Sequence, residues 1–165
     1  MAQKHPDDDM AFAQAGMGGD LDAVLVLNLL RTHSYLSPFI HTSLRRQRLT
    51  AAQFNALLLL RTAGEDGLVM GQIGERLIVT KSNVTGLVDR LERQGLVARG
   101  DHRDRRATLV RLTAAGKRLL KRTVPRHAEL LAELTGCLTA SQKRTLVRLL
   151  TKLRRELRRR RTEGA

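Results

Sequence analysis

Residues 71–95, GQIGERLIVTKSNVTGLVDRLERQG, decide how the rest of the chain is read. Gly71 to about Leu77 forms a short helical segment and Ile78-Val79 a turn. Thr80 then caps a longer helix that runs to Gln94 and is stopped by Gly95. Two helices joined this tightly, the first of them short, give the outline of a helix-turn-helix. In the second helix Val84, Leu87, Val88 and Leu91 recur at spacings of three and four and take the buried face. Small polar side chains near a helix N-terminus suit a groove reader: they reach base edges while the helix end favours phosphate. Lys81, Ser82, Asn83, Thr85 and Arg90 are therefore the candidate contact residues of this helix. Gly86 permits close approach of the backbone, at a cost of ~1 kcal/mol relative to alanine. Asp89 would be repelled by phosphate and is expected to face an arginine instead.

Downstream the periodicity changes. Leu96-Val97-Ala98-Arg99 and Thr108-Leu109-Val110-Arg111-Leu112 are short, β-branched runs with approximate alternation, separated by the polar stretch 100–107. This pattern predicts a β-hairpin attached to the helix-turn-helix as a wing. Five arginines lie in it: Arg99, Arg103, Arg105, Arg106 and Arg111. An arginine at a hairpin tip enters a narrow minor groove, where negative potential is enhanced. Asp104, two residues before Arg106, is placed to hold that guanidinium by charge-assisted hydrogen bonds.

Upstream, Thr50-Ala51-Ala52-Gln53 is a capping box that opens a helix with Phe54, Leu57, Leu58 and Leu60 on its core face; residues 64–67 close it. From Leu21 to Arg48 apolar residues follow helical spacing, with Pro38 predicting a kink or break. Residues 1–19 show no sustained period and read as a flexible arm. Thr113 caps a helix to around Leu134, with Pro125 as a second predicted bend. Thr139-Ala140-Ser141-Gln142 opens a last helix striped by Leu146, Leu149, Leu150, Leu153 and Leu157.

With 30 Lys+Arg against 16 Asp+Glu, a net charge of +14, the 165-residue chain calls for a polyanionic partner. Aromatic residues make up only 2%, so stacking on single-stranded bases is disfavoured and duplex DNA fits better. One cysteine, Cys137, excludes an intramolecular disulfide and fits a reducing cytoplasm. It is expected to be buried and inert. Apolar runs fall far short of the ~18 residues a membrane span needs, and the first ten residues lack the apolar core of a secretory signal. The chain contains no catalytic motif and no set of ligands for a tetrahedral metal shell; no cofactor is expected. The cations from Arg144 to Arg155 read as a solvated helix face, and the terminal run Arg158–Arg161 as a source of salt-sensitive attraction to phosphate.

Taken together, Leu49–Leu57, Ile73–Leu77, Val84–Glu92, Gly95-Leu96-Val97 and Asp104-Arg105-Arg106 with Val110–Gly116 resemble the MarR family of bacterial regulators. The likeness runs from Leu21 to about Leu157. It implies a homodimer whose N- and C-terminal helices interlock, a minor-groove arginine at Arg106 beside Asp104, and a signal that alters the separation of two DNA-reading lobes. The branch that senses hydroperoxide resembles this chain in fold but has its cysteine near the start of the first helix, unlike Cys137. The urate-responsive branch relies on a tryptophan, which this chain lacks.

The expectation is thus a mainly α protein with a small two- or three-stranded antiparallel wing. Residues 49–113 form the winged helix-turn-helix, and 20–48 with 114–161 form a helical dimerisation domain. As a cytoplasmic dimer it would bind a pseudo-palindromic duplex operator and repress transcription until a small phenolic or aromatic effector binds. The wing contacts are Arg103, Asp104, Arg105 and Arg106. His33, Tyr35, Phe39, His41 and Phe54 are candidate walls of the effector pocket. Two alternatives remain: a sequence-blind architectural DNA-binding protein, and a family member that acts only through protein contacts. A ratio near one between affinity for a palindrome and for random duplex favours the architectural reading over the operator-binding one.

Overall fold

The computed structural model describes residues 20–77, 81–101 and 107–163. In chain order the elements are α1 (Leu21–Arg45), α2 (Ala51–Ala63), β1 (Leu68–Val69), α3 (Met70–Leu77), α4 (Lys81–Arg93), β2 (Val97–Gly100), β3 (Leu109–Leu112), α5 (Ala114–Leu134) and α6 (Ala140–Glu163). The chain is mainly α with one three-stranded antiparallel sheet, as the sequence predicts. Its strand order is β1-β3-β2. The two-residue β1 has no legible period and was missed by sequence reasoning; it is fixed by pairing Leu68 with Val110 and Val69 with Leu109.

Local chemistry sets most boundaries. Both halves of the capping box form at α2: Gln53 N–H donates to the Thr50 hydroxyl at 3.2 Å, and Thr50 N–H donates to the Gln53 amide oxygen at 2.8 Å. The same reciprocal pair, Thr139 with Gln142, opens α6. At α5 the Thr113 hydroxyl accepts from Gly116 N–H at 3.1 Å. Helices α1 and α4 close by the same Schellman geometry. In α4 the amides of Gly95 and Leu96 donate to Glu92 and Leu91, with Gly95 at φ +68°. In α1 the amides of Arg48 and Leu49 donate to Arg45 and Leu44, and the left-handed position is occupied by Arg48 at φ 56°. Leu44 and Leu49, the apolar pair that accompanies this motif, are both buried.

The prolines do not end their helices. α1 runs unbroken through Pro38 and α5 through Pro125. Both prolines are exposed, and so are Ser34 and Lys121, whose carbonyls each proline leaves without an amide donor. A carbonyl left without a donor costs little where solvent can reach it, and the exposure of both sites is consistent with the unbroken helices.

The described residues divide into two compact units, one ending at His127 and the other beginning at Ala128. In the first, Leu44 of α1, Leu57 of α2, Ile73 of α3, Leu91 of α4, Val110 of β3 and Leu120 of α5 belong to one apolar cluster. The core of the winged helix thus recruits residues on both sides of 49–113. Gly116 sits where α5 crosses the sheet: a Cβ there would lie 2.2 Å from the Leu96 carbonyl oxygen. In the second unit α6 buries none of its described residues fully. Cys137, in the turn before α6, is exposed rather than buried. Its neighbours in the turn, Gly136 and Leu138, close the connection by bonds to Glu133 and Thr135, which leaves the thiol no core to enter.

Candidate nucleic-acid interface

The geometry of α4 follows from its stripe. Val84, Leu87, Val88 and Leu91 are at most 4% exposed, fixing the rotation of the helix about its axis. The opposite face then turns Asn83, Thr85 and Arg90 outward, all three exposed. Lys81 and Ser82 begin the same helix. The Arg90 guanidinium folds back over Gly86, with its two terminal nitrogens 3.7 and 3.9 Å from where a Cβ would stand. Small Gly86 therefore leaves room for a cation beside the polar face. The cap residue Thr80 lies outside the described residues.

Asp89 does face an arginine, and the partner is on the sheet. Arg99 of β2 is ion-paired to Asp89 and, at 2.7 Å, to Glu92 one turn further along α4. The Arg99 amide also donates to Glu92 at 3.1 Å. The Asp89 hydrogen bond, helped by the charge of Glu92, pushes the Arg99 guanidinium above arginine's ordinary range against the opposing effect of burial. These bonds fasten the polar helix to the first strand of the hairpin and pair two carboxylates with an arginine.

Arg111 is similarly engaged, donating to the Glu65 carbonyl at 2.8 Å, while the Glu65 carboxylate pairs with Lys117. That hydrogen bond holds the Glu65 carboxyl below its usual range. Of the five hairpin arginines, Arg99 and Arg111 therefore serve as structural ties within the fold. The tie of Arg99 was missed, although acids three residues apart at Asp89 and Glu92 signal a helix face prepared for a cation. The hairpin itself forms, with Val97 opposite Leu112 and Gly100 opposite Leu109. Its tip, including Arg103, Asp104, Arg105 and Arg106, lies outside the described residues.

The five effector-pocket candidates are not brought together. His33, Tyr35, Phe39 and His41 are exposed on α1, whereas Phe54 is a core residue at 3% exposure. Phe54 points inward because it shares the buried face of α2 with Leu57. It meets the His127 ring edge-on, centroids 4.9 Å apart. Burial lowers the His127 pKa, and its Nδ1 has no hydrogen-bond partner among the described residues. A groove of about 530 Å³ beside α4 is walled by Val69, Met70, Val84, Thr85, Arg99 and Thr108, none of the five. Among the described residues no three His, Cys, Asp or Glu side chains cluster as metal ligands, and no helix is long and apolar enough to cross a membrane.

A buried-stripe helix tied to a β-hairpin and preceded by a short packed helix defines a winged helix-turn-helix. Residues 49–107 match the model of the MarR family. The chain is 38% identical over 80 residues to the HTH-type transcriptional repressor YetL of Bacillus subtilis, covering 48% of each chain. It is 28% identical over 119 residues to the transcriptional regulator MhqR of the same species, covering 72% of this chain and 81% of MhqR. The chain spans about half the length of the first curated relatives it matches, 48% of YetL and 51% of the B. subtilis regulator YkoM. Among solved structures, it is similar to S. aureus MepR in complex with DNA: 26% identity, TM-score 0.70, 78% of this chain and 96% of that one. A mutant E. coli MarR complexed with operator DNA gives 29% identity and TM-score 0.71, covering 81% and 98%. These relatives are regulators, and the family is not one of enzymes.

Proposed function

We propose that this chain is a cytoplasmic, homodimeric repressor that binds a pseudo-palindromic duplex operator and is released by a small aromatic effector. The observation that carries this reading is the two-faced α4. Its apolar side is fully buried, its acids are tied to Arg99, and its remaining outward surface offers Asn83, Thr85 and Arg90. Such a surface is neutral to positive and short enough to approach base edges in a major groove. The complexes of MepR with DNA and of MarR with operator DNA support the same use of the fold. Lys81 and Ser82 extend this surface at the helix start, and Arg106 with Arg103, Asp104 and Arg105 supplies the minor-groove contact.

Dimerisation accounts for the apolar residues the chain leaves exposed: Leu21, Leu25, Val26 and Leu30 on α1, and Leu146, Leu149 and Leu157 on α6. The effector acts by population shift, stabilising a lobe separation that no longer spans both half-sites. His33, Tyr35, Phe39 and His41, exposed along α1, are the residues proposed to meet it.

Footprinting the chain's own upstream DNA, with and without phenolic ligands, tests the proposal. Protection of two half-sites roughly 34 Å apart, lost on ligand addition, is the expected result. Arg106→Ala should weaken that binding by ~1–3 kcal/mol. Equal affinity for the palindrome and for random duplex would instead identify a sequence-blind coating protein. No duplex binding at low salt would leave a regulator acting through protein contacts.

A further inference from the structure

The residues from Leu134 to Arg155 contain no aspartate or glutamate, yet carry Lys143, Arg144, Arg148, Lys152, Arg154 and Arg155. On α6 these cations are not scattered. At 100° per residue, Arg144, Arg148, Lys152 and Arg155 fall on one side, opposite the stripe of Leu146, Leu149, Leu150, Leu153 and Leu157. All four are exposed, and none has an acidic partner among the described residues.

The end of the helix is different. Arg159 is shared between Glu156 and Glu163 at 2.7 Å each, and Arg160 donates to Glu156 at 2.9 Å. The terminal arginines, which the sequence suggests as the phosphate-binding run, are thus partly neutralised by their own helix. The unneutralised charge lies before them.

We propose that α6 carries a second, sequence-blind binding face for duplex DNA, formed by Arg144, Arg148, Lys152 and Arg155. From the first to the last of these positions is eleven helical steps, about 17 Å of helix. Over that distance a duplex presents roughly ten phosphate charges, so four cations in a row meet a surplus of partners. The chain has no Phe, Tyr or Trp after Phe54, which removes the stacking platforms that single-stranded nucleic acid uses. The same lack removes the interfacial Trp or Tyr anchors typical of a helix lying on a membrane. Occupation of the leucine stripe by a second copy of the chain would leave this cationic face outermost. The face goes beyond the operator-reading surface and does not depend on it.

The test uses the full-length protein and a random-sequence duplex, with affinity measured across a range of salt. In R144Q/R148Q/K152Q/R155Q the slope of log K against log salt should be shallower by about 3 to 4. R159Q/R160Q, which removes already paired arginines, should change it by less than about 1. Equal slopes for the quadruple variant and the parent overturn the proposal, as does a full loss in R159Q/R160Q. Retained DNA slope with lost binding to phosphatidylserine vesicles overturns it in favour of a membrane surface. A second measurement needs no variant: random duplex should protect Lys152 from amine acetylation in the parent protein, and no protection overturns the proposal. In an N83A/R90A background, failure of the operator reading abolishes sequence preference but leaves the slope difference intact, so the two proposals fail separately.

Discussion

Helices α4 and α6 are both amphipathic, yet Val84, Leu87, Val88 and Leu91 of α4 are at most 4% exposed, while Leu146, Leu149 and Leu157 of α6 are 45, 51 and 57% exposed. The difference lies in what surrounds them. α4 meets α2, α3 and β2 within its own compact unit, so its stripe is satisfied by the same chain. The stripe on α6 is equally regular but finds no such surface inside its unit. Their charges differ in the same way. α4 ties its acids to Arg99 on a strand, whereas the acids of α6 neutralise only its final turns. Periodicity therefore states that a face will be buried, and tertiary context states whether the chain itself buries it.

The largest expected effect breaks the contrast on the α4 side. Leu91→Ala should destabilise the winged-helix unit by about 2–5 kcal/mol, read from urea unfolding. A cost no greater than that of an exposed leucine would mean that α4 is not held as described. On the α6 side, Leu149→Ser should weaken self-association by about 1.5–3 kcal/mol while leaving the unfolding midpoint of the first unit unchanged. Sedimentation across a dilution series measures it, and an unaltered dissociation constant would remove α6 from the proposed interface.

The smaller effects sharpen the electrostatic half of the comparison. Arg99→Gln should cost less than about 1 kcal/mol of stability, because its ion pairs with Asp89 and Glu92 are partly exposed. Its larger consequence should appear as weakened sequence preference, since the two acids would be released onto the proposed reading face. Smallest is the pH response of α6. Hydrogen bonds from Arg159 and Arg160 pull the Glu156 pKa down from 4.5 to about 2. A lowered folded-state value means the pairing is fully present above 4.5 and lost as pH falls through about 2. The Glu156 carboxyl resonance should titrate near 2 rather than near the ordinary carboxylate value.

Local signals carried most of the architecture. Thr50 with Gln53 and Thr139 with Gln142 announce helix starts because a hydroxyl and an amide at that spacing satisfy two orphan amides regardless of surroundings. The stripe of α4, and with it the outward placement of Asn83, Thr85 and Arg90, followed from spacing alone. Where the reading failed, the deciding partner was distant in sequence or the decisive quantity was exposure. Strand β1 exists only through its pairing with β3, and Arg99 and Arg111 are turned to α4 and Glu65.

The sequence by itself determined the helix-turn-helix and hairpin, the excess of positive charge and the outward face of α4. Each depends on period, cap chemistry or composition, which act over a few residues. Only the tertiary structure decided which cations are consumed as internal ties, which leucines stay uncovered, and that Pro38 and Pro125 leave their helices intact. Ion pairing, burial and access of water to a carbonyl all depend on residues that folding brings together.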